Sequence, residues 1–395
     1  MAVPAVFEDM YIVDADTHLT EPHDLWSSRA PASMRKRLPR VVPDDNGTPM
    51  WVVDGVPIGK AGGAAVITAD GSKVLGTAFF GLNIEDVHAG AHSIPERLAT
   101  MDALGVWAQV IYPNTFGLGG QTFFKVADPE LRLLTVTIFN DALAEMQATS
   151  GGRLVPMAAL PWWDVDAAVN EVQRAHALGL RGVNTTTGPH QHGLPDLGSP
   201  HWNPMWEVCA DLQMPVNFHI GAAESDIAWF GTVGWPSLSL DQKLAVGSSM
   251  LYLNNAACLA NMVFSGVLER FPALQIVSVE SGAGWFPFIM QALDHQANEL
   301  PTAALDHLSM PPSGYFKRQI HACFWFETTG LDQAVAALGA DHLMFETDYP
   351  HPTCTYPNGL DLAAQAMSQI PDAGVRRKLM GGNATRLYRI ETPQD

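Results

Sequence analysis

The stretch YIVDADTH, residues 11–18, decides how the rest of the chain is interpreted. Its first three residues predict a short buried strand, and acidic and imidazole side chains follow at once. Asp16 and His18 are two residues apart, so on an extended backbone they point to the same side. Burying them is costly unless a cation or hydrogen bonds satisfy them. The stretch therefore indicates either a divalent-metal site or a capped strand end with a solvated histidine.

The composition limits the class of protein. The 395 residues are 47% hydrophobic and 16% charged, which fits an enzyme with a sizeable core. With 22 Lys and Arg against 41 Asp and Glu, the chain carries a charge of −19, so we expect neither a nucleic-acid nor a membrane partner. No apolar run approaches the roughly 20 residues of a membrane helix, and the start does not look like a signal peptide. We expect a cytoplasmic protein whose four cysteines are reduced and mostly buried.

From residue 93 onwards, short apolar strands alternate with helices. The eight predicted strands are 11–13, 106–112, 154–160, 180–186, 215–220, 274–279, 322–327 and 342–345. They are apolar on both faces, as in a parallel sheet covered by helices. Eight such units predict a single α/β domain over residues 1–395, a (β/α)8 TIM barrel. An open doubly wound sheet is the alternative, although no GxGxxG motif follows the first strand.

Three local patterns carry further structural expectations. Ser93 and Glu96 predict a capping box at the start of a helix, and apolar spacing predicts one long helix over residues 248–271. Within it, the apolar run 250–253 either contributes to a homodimer or is simply buried. The long segment 22–95 contains a predicted hairpin over residues 51–58. We interpret this segment as an elaborated insertion after strand 1 that covers the barrel mouth, with a disordered insertion as the alternative.

Polar residues collect at the predicted carboxyl ends of the strands, which is where barrels of this kind carry their chemistry. His219 ends an apolar strand and is followed by glycine, which favours a metal ligand or a catalytic base. Asp348 ends the last strand, and Pro350 turns the chain outwards. Glu280 follows the strand 274–279. These positions, together with Asp16 and His18, are the candidate site.

In these stretches the chain resembles the amidohydrolase superfamily, and within it the branch that includes aminocarboxymuconate semialdehyde decarboxylase. The resemblance extends from Asp14 to the stretch NATRL, residues 383–387. It implies a (β/α)8 barrel that holds one divalent metal. The implied ligands are Asp16, His18, His219 and Asp348. Zn²⁺ is the expected ion because two imidazoles are present, and Mn²⁺ is the alternative.

The sequence departs from that family in two places. The first ligand pair is commonly His-x-His, whereas here Asp16 precedes His18, which moves the preference modestly towards harder ions. The decarboxylases often carry a catalytic histidine after strand 6, whereas here the residue is Glu280. A carboxylate at that position is suited to accepting a proton from water and less suited to protonating carbon. Alternatively, Glu280 only orients His219 or a water molecule.

We therefore expect a metal-dependent hydrolase in which metal-activated water attacks an amide, lactone or ester carbonyl. Asp348 would accept the proton from that water, and Glu280 would position the water or pass the proton to the leaving group. His219 or His351 would help to polarise the carbonyl. The substrate would be small and largely apolar or aromatic. The predicted substrate-binding residues are Trp162, Trp163, Trp229, Phe230, Trp285 and His351. For Trp325, core packing is the preferred interpretation.

Two other functions stay open. The first is a metal-dependent, non-oxidative decarboxylase of an aromatic or unsaturated carboxylic acid, which is what the family resemblance implies. It needs a cation beside the substrate carboxylate, and Arg318 or the cluster 35–40 could supply one. The second is a binding barrel without a metal.

Overall fold

Parallel strands form the centre of the molecule in the computed structural model, which describes residues 3–114, 116–227 and 235–393. The strands are β1 Ile12–His18, β2 Arg40–Pro43, β3 Pro49–Val53, β4 Val56–Lys60, β5 Val106–Tyr112, β6 Leu154–Pro156, β7 Ala158–Ala159, β8 Val183–Asn184, β9 Val216–His219, β10 Ile276–Val279, β11 Ile320–Phe324 and β12 Leu343–Phe345. Parallel pairing joins β1, β5 and β6 in one run, and β7 to β12 in another. The predicted strand 154–160 is interrupted at Met157, which separates β6 from β7.

Hydrogen bonds between the first strand and the end of the last one close the barrel. Thr17 bridges Tyr349 in parallel register. The His18 amide donates to the Tyr349 carbonyl at 2.8 Å, and the Asp348 amide donates to the Asp16 carbonyl at 2.9 Å. The (β/α)8 TIM barrel is therefore confirmed, and the open sheet is wrong. Closure also brings the first and last candidate ligand segments side by side.

Helices surround the strands. The α-helices are Leu25–Arg29, Ile94–Leu104, Gln121–Phe124, Pro129–Thr149, Val165–Ala177, Asn203–Asp211, Glu224–Ile227, Leu240–Leu251, Asn254–Phe264, Val267–Arg270, Phe286–Asn298, Pro312–Gln319, Leu331–Leu338, Gly359–Met367, Ala373–Arg377 and Asn383–Tyr388. The 3₁₀ helices are Ala5–Phe7, Gly76–Gly81, Ala89–Ala91, Pro189–His192, Pro200–Trp202 and Thr302–Leu305, and a π-helical turn spans Lys378–Gly382. No helix in the described ranges combines the length and apolar character needed to cross a membrane.

Two expectations about helices are wrong. Ser93 is an N-cap residue, but its side chain caps no backbone amide, and the capping box lies instead at Ser239 and Gln242. The predicted helix 248–271 is three helices. Asn255 donates to the Phe218 carbonyl at 2.8 Å, which fixes the second of them on the barrel, and Gly266 (φ 75°) separates it from the third. Periodicity alone does not reveal such breaks, because the apolar face continues through them.

The core has an inner and an outer layer, which explains why the strands are apolar on both faces. Val13 and Ala15 belong to a cluster inside the barrel, whereas Ile12 belongs to the cluster between strands and helices. Across the middle of the barrel, the hydroxyls of Tyr112 and Tyr388 both donate to Asn217 Oδ1, at 2.9 and 2.7 Å. The four cysteines are free and buried, as expected.

The segment after β1 forms a small antiparallel sheet in the order β2–β3–β4. Its predicted hairpin is confirmed, with Asp54 (φ 48°) and Gly55 (φ 83°) in the left-handed conformations that a tight hairpin turn requires. Trp51 is fully buried and packs edge-on against Trp26. The amide of Val66 donates to the Pro350 carbonyl at 2.9 Å. That the whole segment 22–95 covers the mouth stays a prediction.

Candidate metal centre

Four polar side chains meet where β1, β9 and β12 end. Asp16 and His18 come from β1, His219 is the last residue of β9, and Asp348 follows β12. Asp16 Oδ1 lies 3.6 Å from His18 Nε2 and 3.5 Å from His219 Nε2, and Asp348 Oδ1 lies 3.4 Å from His18 Nε2. Atoms that share one ion at about 2.0–2.2 Å are about 3–3.6 Å apart. Each of these three pairs of predicted ligands therefore lies at a spacing that suits a shared cation.

The converging atoms lack hydrogen-bond partners although all four residues are fully buried. Both carboxylate oxygens of Asp16, one of Asp348 and the Nε2 atoms of His18 and His219 are without one. An unsatisfied buried polar group typically costs about 1–3 kcal/mol, and a buried charge costs more. A divalent cation bound between these atoms would satisfy all of them. The donor set thus fits a metal on structural grounds alone.

The orientation of both imidazole rings supports the same interpretation. His18 Nδ1 lies 2.9 Å from the Pro113 carbonyl, and His219 Nδ1 lies 2.7 Å from the Ile220 carbonyl. Because a carbonyl only accepts hydrogen bonds, each Nδ1 carries a proton. In the neutral ring, Nε2 then presents its lone pair to the site. Burial, followed by His351, lowers the pKa of His18 to about 3, which keeps this ring neutral.

Glu280 and His351 extend the site beyond the four predicted ligands. Glu280 Oε2 lies 3.2 Å from His219 Nε2, and His351 Nδ1 lies 3.3 Å from Asp348 Oδ1. The ring of His351 stacks on that of His18 with centroids 3.5 Å apart. Two overlapping sets of four residues could each hold an ion, because within each set the ligand atoms all lie within 4.8 Å of one another. The first set is Asp16, His18, His219 and Glu280. The second set is His18, Glu280, Asp348 and His351.

The backbone at this end of the barrel is strained. Glu280 and Asp348 both have positive φ, 53° and 58°, a conformation that is rare for residues other than glycine. Such residues persist where the surrounding structure holds them, and they cluster at functional sites. Burial, then the charge of Asp348, raises the pKa of Glu280 well above its ordinary value. A divalent cation bound beside Glu280 would oppose this shift, because positive charge favours the ionised carboxylate.

Sequence reasoning missed Thr353, which connects the two strained residues. Its Oγ1 lies 3.1 Å from Glu280 Oε1 and is also hydrogen-bonded to Asp348 Oδ2. Thr353 follows His351 by two residues, so the polar run after the last strand was the available signal. The hydroxyl holds both carboxyl groups in fixed positions relative to each other.

Sequence reasoning also missed Arg97, a fully buried arginine behind β1. Its guanidinium donates to the backbone carbonyls of His18 and Gly90 and to Gln109 Oε1. Gln109 in turn donates to Asp14 Oδ2 at 3.2 Å, and Thr347 donates to both Asp14 oxygens. Asp14 is therefore satisfied by protein groups, unlike Asp16 two residues later. Burial raises the pKa of Asp14 to about 7.

The predicted aromatic residues differ in their surroundings. Trp162 is buried and packs on Trp163 and Phe124, and its indole donates to the Gly119 carbonyl. Trp285 is partly buried, its ring lies tilted against that of Phe286 with centroids 4.1 Å apart, and its indole donates to the Ser281 carbonyl. Trp229 and Phe230 lie outside the described residues. Trp325 is fully buried against Tyr252 and Phe326. These contacts stabilise the loops, and a role in binding substrate stays a prediction for each residue.

Neither basic candidate from the sequence reaches the converging ligands. Arg318 donates to the Leu268 carbonyl and lies 4.0 Å from Glu269. In the cluster 35–40, Arg37 is paired with Asp54 and Asp128.

Comparison with known proteins defines the family. The amidohydrolase family model matches residues 13–390. A γ-resorcylate decarboxylase of Polaromonas sp. is 26% identical over 307 residues, covering 74% of this chain and 86% of that protein. A 2-amino-3-carboxymuconate-6-semialdehyde decarboxylase of Dictyostelium discoideum is 24% identical over 280 residues, covering 67% and 69%. These names contradict the hydrolase that the sequence favoured and agree with the decarboxylase kept as its alternative.

Solved structures share the fold. An amidohydrolase of Mycobacterium avium subsp. paratuberculosis superposes with a TM-score of 0.73 at 20% identity, covering 96% of this chain and 99% of that one. A dihydroxybenzoic acid decarboxylase of Polaromonas sp., solved with manganese and 2-nitroresorcinol, gives 0.62 at 20% identity, covering 98% of both chains. Because the family model matches residues 13–390 and the barrel agrees with it, the chain belongs to the amidohydrolase family, in the branch of its γ-resorcylate and aminocarboxymuconate semialdehyde decarboxylase relatives.

Proposed function

We propose that this protein is a metal-dependent, non-oxidative decarboxylase of an aromatic or unsaturated carboxylic acid. The observation that carries the proposal is that its curated relatives, matched over 67–75% of the chain, are named decarboxylases of such acids. The buried donor set is consistent with their chemistry, because it combines a cation site with neighbouring groups able to carry protons. The substrate is a small molecule.

Asp16, His18, His219 and Asp348 would hold one divalent cation. When bound, the ion supplies fixed positive charge that orients an anionic substrate and stabilises negative charge as it develops. Two carboxylates and two imidazoles accept Zn²⁺ or Mn²⁺. Zinc stays the expectation from the ligand types, and manganese is the ion named with the Polaromonas relative. Metal analysis of the purified protein decides between them.

Glu280 is the proposed proton donor. Decarboxylation replaces the carboxylate on a carbon with a proton, so the site must deliver one proton to that carbon. The carbon–carbon bond then breaks, CO₂ leaves, and the electron pair returns to the substrate. Glu280 is buried beside His219 and its position is held by the Thr353 hydroxyl, so in its acid form it is the carboxyl group placed to deliver this proton. Solvent restores the proton afterwards.

The remaining expectations become part of this proposal. His351, stacked on His18, would contact the substrate next to the cation. Trp162, Trp163 and Trp285 would contribute to an aromatic wall. A cytoplasmic location and a homodimer stay predictions.

The test is an assay with 2,6-dihydroxybenzoate and related aryl acids in D₂O. We expect release of CO₂ and one deuterium on the carbon that carried the carboxylate, because Glu280 exchanges its proton with solvent. In H₂¹⁸O the aromatic product should contain no ¹⁸O. The matched sample is the same protein stripped by a chelator, which should lose turnover and regain it with Zn²⁺ or Mn²⁺. Product carrying ¹⁸O, or CO₂ release that survives full metal removal, would overturn the proposal.

A further inference from the structure

A second polar cavity lies at the opposite end of the barrel, where β9 to β12 begin. Its volume is about 570 Å³, within the range of small-molecule sites. Six polar side chains that line it are Gln213, Gln275, His321, His342, Arg386 and Arg389. The candidate ligands His219 and Asp348 lie at the carboxyl ends of β9 and β12, so this cavity is separate from the metal centre.

Positive charge dominates the lining although the chain as a whole carries −19. The lining carboxylate is Asp341, and it is already paired, with Lys378 Nζ at 2.8 Å and Arg386 Nη1 at 3.6 Å. Arg389 donates to the Gln213 and Arg181 carbonyls. Among the described residues, no carboxylate pairs with Arg389. Its charge is therefore free to meet an anion in the cavity.

The floor of the cavity contains an unsatisfied group. His321 is 3% exposed, its Nε2 is bonded to Gln275 at 3.0 Å, and its buried Nδ1 has no partner. The ring of His342 lies 4.8 Å away. Burial, then His342 and Arg386, hold the pKa of His321 well below its ordinary value, so this ring is neutral.

Backbone strain marks both ends of the barrel. Among the described residues, five other than glycine have positive φ, and one of them, Asp54, is explained by a hairpin turn. Glu280 and Asp348 belong to the metal centre. The remaining two, Gln213 (φ 52°) and Arg389 (φ 53°), line this cavity and are bonded to each other. The hydrogen bond to the Gln213 carbonyl holds the Arg389 guanidinium at the cavity edge.

We propose that this cavity binds the phosphate group of a small molecule between Arg386 and Arg389. Guanidinium groups bind phosphate through paired, charge-assisted hydrogen bonds. Gln213, Gln275 and His342 would supply further polar contacts. The cavity volume leaves room for an organic group, so the ligand is either free phosphate or a phosphate monoester.

Calorimetric titration of the metal-loaded, full-length protein tests this site at constant ionic strength. We expect saturable binding of inorganic phosphate, and at least tenfold weaker binding by a variant carrying Arg386→Gln and Arg389→Gln. Arg376→Gln is the matched control, because Arg376 also bonds backbone carbonyls but does not line the cavity. Ribose 5-phosphate is the second ligand. Tighter binding than inorganic phosphate would assign the site to an ester, and equal binding to free phosphate.

Phosphate could also bind a metal ion directly, so the titration is repeated with His219→Ala. Unchanged affinity there supports the proposed cavity, whereas binding lost in His219→Ala but kept in the double arginine variant overturns it. Should the double variant not fold, crystals of the unaltered protein soaked in tungstate provide the test. An anomalous peak between Arg386 and Arg389 supports the proposal, and a peak confined to the metal centre contradicts it.

Discussion

The two ends of the barrel are built on the same strands but carry opposite charges: the carboxyl end gathers buried carboxyl groups, and the amino end gathers exposed arginines. At the carboxyl ends, buried carboxyl groups crowd together, and several of their atoms have no partner in the protein. These residues are Asp14, Asp16, Glu280, Glu346 and Asp348. At the amino ends, exposed arginines already bond to backbone carbonyls. Charges in water cost little, whereas buried and unpaired charges cost several kcal/mol. Only the carboxyl end should therefore depend on a bound cation.

The most severe test of this difference is His219→Ala, which removes a ligand from the carboxyl end alone. We expect the metal content to fall below about a tenth of an equivalent and kcat/KM to fall at least about 10³-fold, because the remaining groups cannot complete the site. Elemental analysis and the decarboxylation assay measure the two effects. Full metal content together with full turnover would remove His219 from the ligand set.

The next largest effect tests whether Glu280 is a proton donor or a metal ligand. Glu280→Gln keeps the size of the side chain but cannot donate a carboxylic proton, so we expect kcat to fall about 10²–10⁴-fold with the metal retained. Retained turnover would eliminate the catalytic role. Loss of metal would instead make Glu280 a ligand, as both overlapping sets allow.

A smaller effect is expected from Thr353→Val, which removes one hydroxyl and preserves the shape of the side chain. Glu280 and Asp348 would lose their shared partner, and kcat should fall about tenfold, equivalent to about 1.4 kcal/mol. KM should stay the same, because Thr353 acts by positioning Glu280, and metal content measures whether Asp348 is still held in place. Thr353→Ser restores the hydroxyl and is the control. An equal loss in both variants would show that the hydroxyl is not responsible.

The smallest effect concerns the amino end and the stability of the fold. Burial lowers the pKa of His321 in the folded protein. As the pH falls below about 6.5, this histidine is therefore protonated in the unfolded chain while it stays neutral in the folded protein. The free energy of unfolding should thus fall with decreasing pH, by about 1 kcal/mol from this residue between pH 6.5 and 5.5. Urea unfolding of His321→Gln should be less acid-sensitive by that amount. An identical pH dependence in both proteins would contradict the assignment.

Local pattern predicted much of the carboxyl end. A strand presents alternate residues to one side, and parallel strands in a barrel end at the same rim. Asp16, His18, His219 and Asp348 could therefore be predicted to meet, and their atoms lie within a few ångströms of one another. That they bind metal stays a prediction. The choice of hydrolysis was wrong, as the decarboxylase names of the relatives show, because a carboxylate at position 280 does not by itself separate the two reactions.

The amino-acid sequence by itself determined the barrel and the rim on which the polar strand ends gather, because both follow from the side-chain period and strand direction. Only the tertiary structure decided which neighbours those groups have. Thr353 reaches Glu280 across 73 positions of chain, and Arg97 holds the carbonyl of His18 across 79. The same holds at the other end, where Arg389 meets Gln213 across 176 positions. Contacts at such separations depend on how helices and loops pack on the barrel, and no spacing along the chain encodes them.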